Sequence, residues 1–124
     1  MRVIVRAFNL AECPAAIRGY LGQSLITTGN QYDVHALAVF EGITIMQIVD
    51  DVRMPNWRPG WLFEVIEPTL PSDWICTASA SEPSLILGPE FVAKDEKAYS
   101  EMVELDPDQV ERFWERVNAM SSVG

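Results

Sequence analysis

The chain is poor in the residues that build catalytic and metal centres, with one histidine, two cysteines and two lysines in 124 residues. His35 has no second histidine to share a metal with, and no C-x-x-C, calcium-type D-x-D-x-D-G loop or glycine-rich phosphate cradle occurs. No metal or other cofactor is therefore expected. Cys13 and Cys76 lie 63 positions apart without a secretion signal and read as ordinary thiols. Cys76, within Trp-Ile-Cys-Thr-Ala, is expected as a small buried hydrophobe, and Cys13, before Pro14, is the candidate for an exposed one. No apolar run reaches the roughly 18 to 20 residues of a membrane span, and Met1 to Leu10 has no continuous hydrophobic core of a signal peptide. The expected address is the cytosol, with no membrane partner. Lys94 and Lys97, with seven scattered arginines, are too few for a phosphate-neutralising surface, which counts against direct nucleic-acid binding.

Acids and hydrophobes are abundant. Hydrophobic residues make up 48% of the chain, enough for one folded domain of this size, and 18 acids against 9 bases leave a formal charge of -9. The charge is uneven. Met1 to Tyr32 carries Arg2, Arg6 and Arg18 against Glu12, a net +2. Asp33 to Asp73 holds seven acids against Arg53 and Arg58, and Glu82 to Arg116 holds ten acids against four bases. Such a field keeps a small protein soluble, and it also accelerates association with a basic partner.

Periodicity predicts a first strand over Arg2 to Phe8, then a short helix or an irregular loop over Ala11 to Gly22, and a second strand over Gln23 to Thr28. Val34 to Phe40 and Ile43 to Val49 form the clearest feature, two β-rich runs joined by Glu41-Gly42 in the manner of a type I′ hairpin. In that register Phe40 faces Ile43. One face carries Val34, Ala36, Ala38, Phe40, Ile43, Ile45, Gln47 and Val49, and the other His35, Leu37, Val39, Thr44, Met46 and Ile48. Both faces are mostly apolar, so the hairpin must be covered twice, closed into a barrel, or covered by a partner. Gln47 is expected to bond to backbone. Asp50 to Gly60 reads as a loop, Trp61 to Glu67 and Trp74 to Ala78 as strands, and Leu85 to Leu87 as a short one. Asp95 to Glu104 and Asp106 to Met120 read as helices, the second with Asp106 as cap, Pro107 at its first position and Gln109 completing a capping box. The fold class that follows is α+β: a twisted, mainly antiparallel sheet of five or six strands, open or partly closed as a barrel, packed by the C-terminal helix.

The sites open to chemistry are sparse. His35, inside a strand and beside apolar neighbours, reads as a packed histidine more readily than as a general base. Asp50 and Asp51, adjacent at a strand end, point to opposite faces and make a poor chelate, so a capped turn or a contact for a basic partner fits them better than catalysis. Trp57, Trp61 and Trp74 crowd around Pro55 and Pro59 as a satellite core, or expose Trp57 as a binding anchor beside Arg58.

The order Tyr32-Asp33-Val34-His35-Ala36, Gly42, Ile48-Val49-Asp50-Asp51, Pro55-Asn56-Trp57-Arg58-Pro59, Leu62-Phe63-Glu64-Val65-Ile66 and Asp73-Trp74 resembles a group of small, acidic bacterial proteins that accompany polymorphic toxins. The group includes immunity proteins of contact-dependent growth inhibition. The similarity spans Tyr32 to Tyr99 and departs from the pattern at Thr44 to Met46, which has no aromatic residue, and at Gly60-Trp61. It implies a protein without a reaction of its own that binds a cognate toxin, a basic nuclease domain being the expected one. The partner-binding candidates are Asp50, Asp51, Arg53, Trp57, Arg58, Trp61 and Glu64. Two other readings stand beside it: an adaptor whose apolar hairpin face is covered by a partner, and a small metal-dependent hydrolase using Asp50, Asp51 and Glu64.

Overall fold

The hairpin organises the molecule. In the computed structural model, which describes residues 1–21 and 25–123 (side chains through 120), Glu41 and Gly42 have φ of 51° and 77°. Both are left-handed, as a type I′ turn requires. Glycine adopts this freely, whereas Glu41 is held there by hydrogen bonds: its backbone N–H donates to the Glu82 carboxylate at 2.8 Å, and its carboxylate accepts the Tyr20 hydroxyl. Strands β3 (Ala36–Phe40) and β4 (Ile43–Val49) pair in the expected register, Phe40 opposite Ile43 and Ala36 opposite Gln47.

Six further strands complete two antiparallel sheets. With β5 (Pro55–Pro59), β7 (Ile75–Ala78) and β8 (Leu85–Gly88), the hairpin forms a five-stranded sheet in the order β5-β4-β3-β8-β7. A three-stranded sheet places β1 (Arg2–Val5) between β2 (Gln31–Asp33) and β6 (Phe63–Glu67). Helices α2 (Glu90–Ala93), α3 (Glu96–Val103) and α4 (Pro107–Val123) follow, and a short α1 (Ala15–Arg18) lies between β1 and β2. The α+β class holds, and no closed barrel forms among the described residues.

Both faces of the hairpin are covered by the chain itself. Ala36, Ala38 and Ile45 face the helices, packing with Ile86, Ala93 and Tyr99 in one cluster and with Val92, Met102 and Phe113 in the next. Met46 and Ile48 face the three-stranded sheet and meet Val3, Val5, Leu62 and Phe63. The result is three layers: small sheet, large sheet, helices. Burying side chains such as Ile48 or Phe113 contributes about 1.5–3 kcal/mol each. The layers are close. A Cβ added at Gly88 would lie 3.0 Å from the Cβ of Ala36, so β8 crosses Ala36 only because position 88 has no side chain.

Several expectations are corrected. Pro55–Pro59 is a strand, not part of a loop; it lies at an edge, where the missing proline N–H groups face away from β4. Gly60–Leu62 is a 3-10 turn, so the strand expected from Trp61 begins at Phe63. Gln31–Asp33 was not anticipated as a strand. The strand expected over Gln23 to Thr28 lies partly outside the described residues, and Leu25 to Thr28 is not strand. There the Leu25 carbonyl accepts the Asp51 amide and the Thr27 amide donates to the Tyr32 hydroxyl, so the run is a tether.

Val34 and His35 sit on faces opposite to those the hairpin pattern assigns, because both precede the regular part of β3. The Val34 amide donates to Met1 O in the small sheet at 2.9 Å, and the next amide, His35, donates to Gln47 O in the large sheet at 2.8 Å. The chain changes sheets between these two residues. Val34 therefore joins the core between the sheets, and His35 packs edge-on against Phe113 of α4, ring centroids 5.0 Å apart.

Two glutamines also differ from expectation. Gln109 forms no capping box; its Nε2 donates to the Phe91 and Ala98 carbonyls at 2.7 and 3.1 Å and ties α4 to α2 and α3. Gln47 is fully buried, and neither carboxamide atom has a hydrogen-bond partner among the described residues. The cysteines are exchanged relative to expectation: Cys13 is buried, and Cys76, on edge strand β7, is exposed.

Candidate protein-binding surface

The Asp50-Asp51 turn divides its two carboxylates between inside and outside. Asp50 is 3% exposed; its Oδ1 accepts the Val52 and Met54 amides at 3.1 and 3.0 Å and its Oδ2 accepts Asn56 Nδ2 at 3.1 Å. Those bonds carry the chain through the left-handed Arg53, φ 65°, into β5. Asp50 is thus a turn anchor facing its own backbone. Asp51 is exposed and accepts the hydroxyls of Thr27 and Tyr32, each at 2.6 Å. The Thr27 hydroxyl first and the Tyr32 hydroxyl second hold its carboxyl below the usual aspartate range, so it stays anionic.

Of the remaining candidates, Arg53 belongs to this turn and the others lie away from it. Arg53 is exposed, with its guanidinium carbon 5.2 Å from the centroid of the Trp114 ring. Trp57 is half-buried against the helices, edge-on to Tyr99 at 5.3 Å, and is not the exposed anchor considered from sequence. Arg58, next along β5, points to the other face beside Val5 and Leu62, where burial lowers its guanidinium pKa. Trp61 is clamped under Arg6, whose guanidinium lies 4.1 Å from the ring centroid and whose Nε donates to the Trp61 carbonyl, with Phe8 edge-on at 4.8 Å. Trp57 and Trp61 therefore belong to different layers. Glu64 is exposed on β6.

Of the candidates, Asp50, Asp51 and Arg53 line one concavity, a cleft of about 510 Å³ that Tyr32, Asp33, His35 and Asn118 also line. Burial lowers the His35 pKa to about 4, against the opposing pull of Asp33, so the imidazole is neutral at ordinary pH. The larger groove, about 630 Å³, lies between α2 and α4 and mixes Asp73, Glu90 and Glu115 with Lys94, Arg112 and Arg116. Its charges balance, and Arg116 is already paired with Asp73. Among the described residues no three His, Cys, Asp or Glu side chains gather as a metal site, Asp50, Asp51 and Glu64 included.

Among the described residues, few of the acids are engaged in the ion pairs seen. Ion pairs among the described residues engage Asp33, Asp73 and Glu101. Glu41, Asp51 and Glu96 are held by hydroxyl groups, which fix a carboxylate without cancelling its charge. Sequence reasoning missed Thr27 and Tyr32 as the residues that set Asp51, since their link is spatial. No helix among the described residues is long and apolar enough to cross a membrane. Comparison with protein-family models, curated proteins and solved structures finds no match to this chain.

Proposed function

We propose that this protein is an immunity-type inhibitor that acts in the cytosol by binding a cognate bacterial toxin domain in a stoichiometric complex, without catalysing a reaction. The observation that carries the reading is the uncompensated acidity: 18 acids against 9 bases, with exposed carboxylates held by hydroxyls and turns more than by cations. Such a surface suits a basic partner, and a nuclease domain with a phosphate-binding cleft is the expected one. The resemblance from Tyr32 to Tyr99 supports the same assignment. An adaptor role had its motive in an uncovered hairpin, and the chain covers both hairpin faces itself.

Co-expression with the protein encoded immediately upstream tests the proposal. Restored growth and a one-to-one complex by calorimetry are expected; a toxic neighbour that the protein neither binds nor silences would overturn it.

A further inference from the structure

The two sheets leave four outer strands, and they differ in what they offer. On β5, Pro55 and Pro59 cannot donate to a further strand. Strand β2 has three residues and β7 four, the latter without a charged side chain. Strand β6, Phe63–Glu67, has five residues, no proline, and four exposed side chains in the order Glu64, Val65, Ile66, Glu67.

The pairing alternation shows which backbone groups of β6 are open. The Arg6 amide donates to Leu62 O at 3.1 Å, and the register carries Val5 opposite Phe63, Ile4 opposite Glu64 and Val3 opposite Val65. In an antiparallel ladder hydrogen-bonded and non-bonded pairs alternate, so Ile4 and Glu64 exchange bonds and Val3 and Val65 do not. Val5 on the same side of β1 turns to the other neighbour, its amide donating to Asn30 O and its carbonyl accepting Gly29 N. Val65 therefore directs both its N–H and its C=O away from β1, and no hydrogen bond to either forms among the described residues. Phe63 uses its N–H on Gly60 O, which ends the open edge on that side.

The side chains define what could lie there. Phe63 points into the core, so Glu64 points to the outer face of the small sheet, and Glu67, opposite Arg2 after a bulge, shares that face. Arg2 is engaged by Asp33 at 3.1 Å. Val65 and Ile66 are 43% and 44% exposed. Two carboxylates flanking two apolar residues repel a second copy of an acidic strand and favour a basic one.

We propose that β6 is a docking edge for an extended segment of a partner protein with alternating basic and apolar residues, paired through the backbone of Val65 and read by Glu64 and Glu67. The proposal rests on the inhibitor reading for the partner's biological identity, and on the edge alone for its chemistry.

The test is nuclear magnetic resonance mapping of the labelled protein with a capped six-residue peptide of alternating Lys and Val, against the same peptide with Glu for Lys. Saturable shifts centred on the amides of Glu64 to Glu67, with slowed exchange of the Val65 N–H, are expected from the Lys peptide. Glu64→Lys with Glu67→Lys should weaken that peptide about tenfold and admit the Glu peptide. Val65→Pro, which removes the outward N–H and also fixes φ at that residue, should abolish binding; should it impair folding, the charge exchange decides. Shifts elsewhere, no shifts at millimolar peptide, or indifference to the charge exchange would overturn the proposal. Mapping with the upstream gene product separates the two readings: a neutralising complex that leaves Val65 unchanged removes the docking edge alone, and peptide binding at β6 without neutralisation removes the inhibitor reading alone.

Discussion

Gln47 and Trp57 face each other across β4 and β5, and the Gln47 carboxamide and the Trp57 indole N–H are both buried without a hydrogen-bond partner among the described residues. Their side of the sheet is the helix-covered core, where an unmet carboxamide costs about 1–3 kcal/mol. Gln47→Met keeps the volume and removes the unmet groups. It should raise stability by about 1–2 kcal/mol, read as a higher denaturation midpoint with an unchanged slope; a lower midpoint would mean that the amide is satisfied in solution.

The two aspartates of the β4–β5 turn should behave differently. Asp50→Ala removes the acceptor of two backbone amides and of Asn56, and should cost about 3 kcal/mol by denaturant titration. Asp51→Ala loosens Thr27 and Tyr32 at the surface and should cost clearly less. Equal losses would refute the division between inside and outside.

Acid should destabilise the protein through His35. Its folded pKa of about 4 is below the unfolded value of 6.5, so between these limits the unfolded chain binds the extra proton. Stability is then complete above pH 6.5, falls as pH drops toward 4, and is lost from this source below that, by about 3 kcal/mol in all. His35→Phe should flatten this part of the profile. Asp33 and Arg116 also act on the ring, Asp33 raising and Arg116 lowering its pKa, so Asp33→Asn should move the folded pKa lower still.

Thiol labelling distinguishes the cysteines. One thiol per folded chain, Cys76, should react rapidly with an aromatic disulfide reagent, and Cys13 should react only in denaturant. Two fast thiols in the folded protein would place Cys13 outside the core.

Association with a basic toxin should slow as salt rises, with the larger change in the on-rate. Binding that is indifferent to ionic strength would reduce the acidity to a solubility device.

The hairpin was legible because its signals are local: period-two hydrophobicity and a Glu-Gly turn that only one register satisfies. Strand β5 was not, because Pro55 and Pro59 read as breakers unless one knows that the strand is at an edge. His35 was placed on the wrong face because alternation was extended two residues past the point where the chain changes sheets. Net charge was readable, but its placement was not: nothing in Asp50-Asp51 says which residue turns inward until Asn56 and Tyr32 are brought beside them. The tryptophans failed for the same reason, since their shared neighbourhood in sequence spans two layers in space.

Strand β1 is made first and yet lies in the middle of its sheet, between β2 and β6. Its last partner, which begins at Phe63, reaches it only after the whole hairpin has been synthesised. Loop closure of that span opposes early pairing, so the small sheet should assemble late, on a hairpin already formed. Until then Val3 and Val5 lack the strand that covers them, and the interval before β6 emerges is when apolar surface on this chain is most open to misassociation.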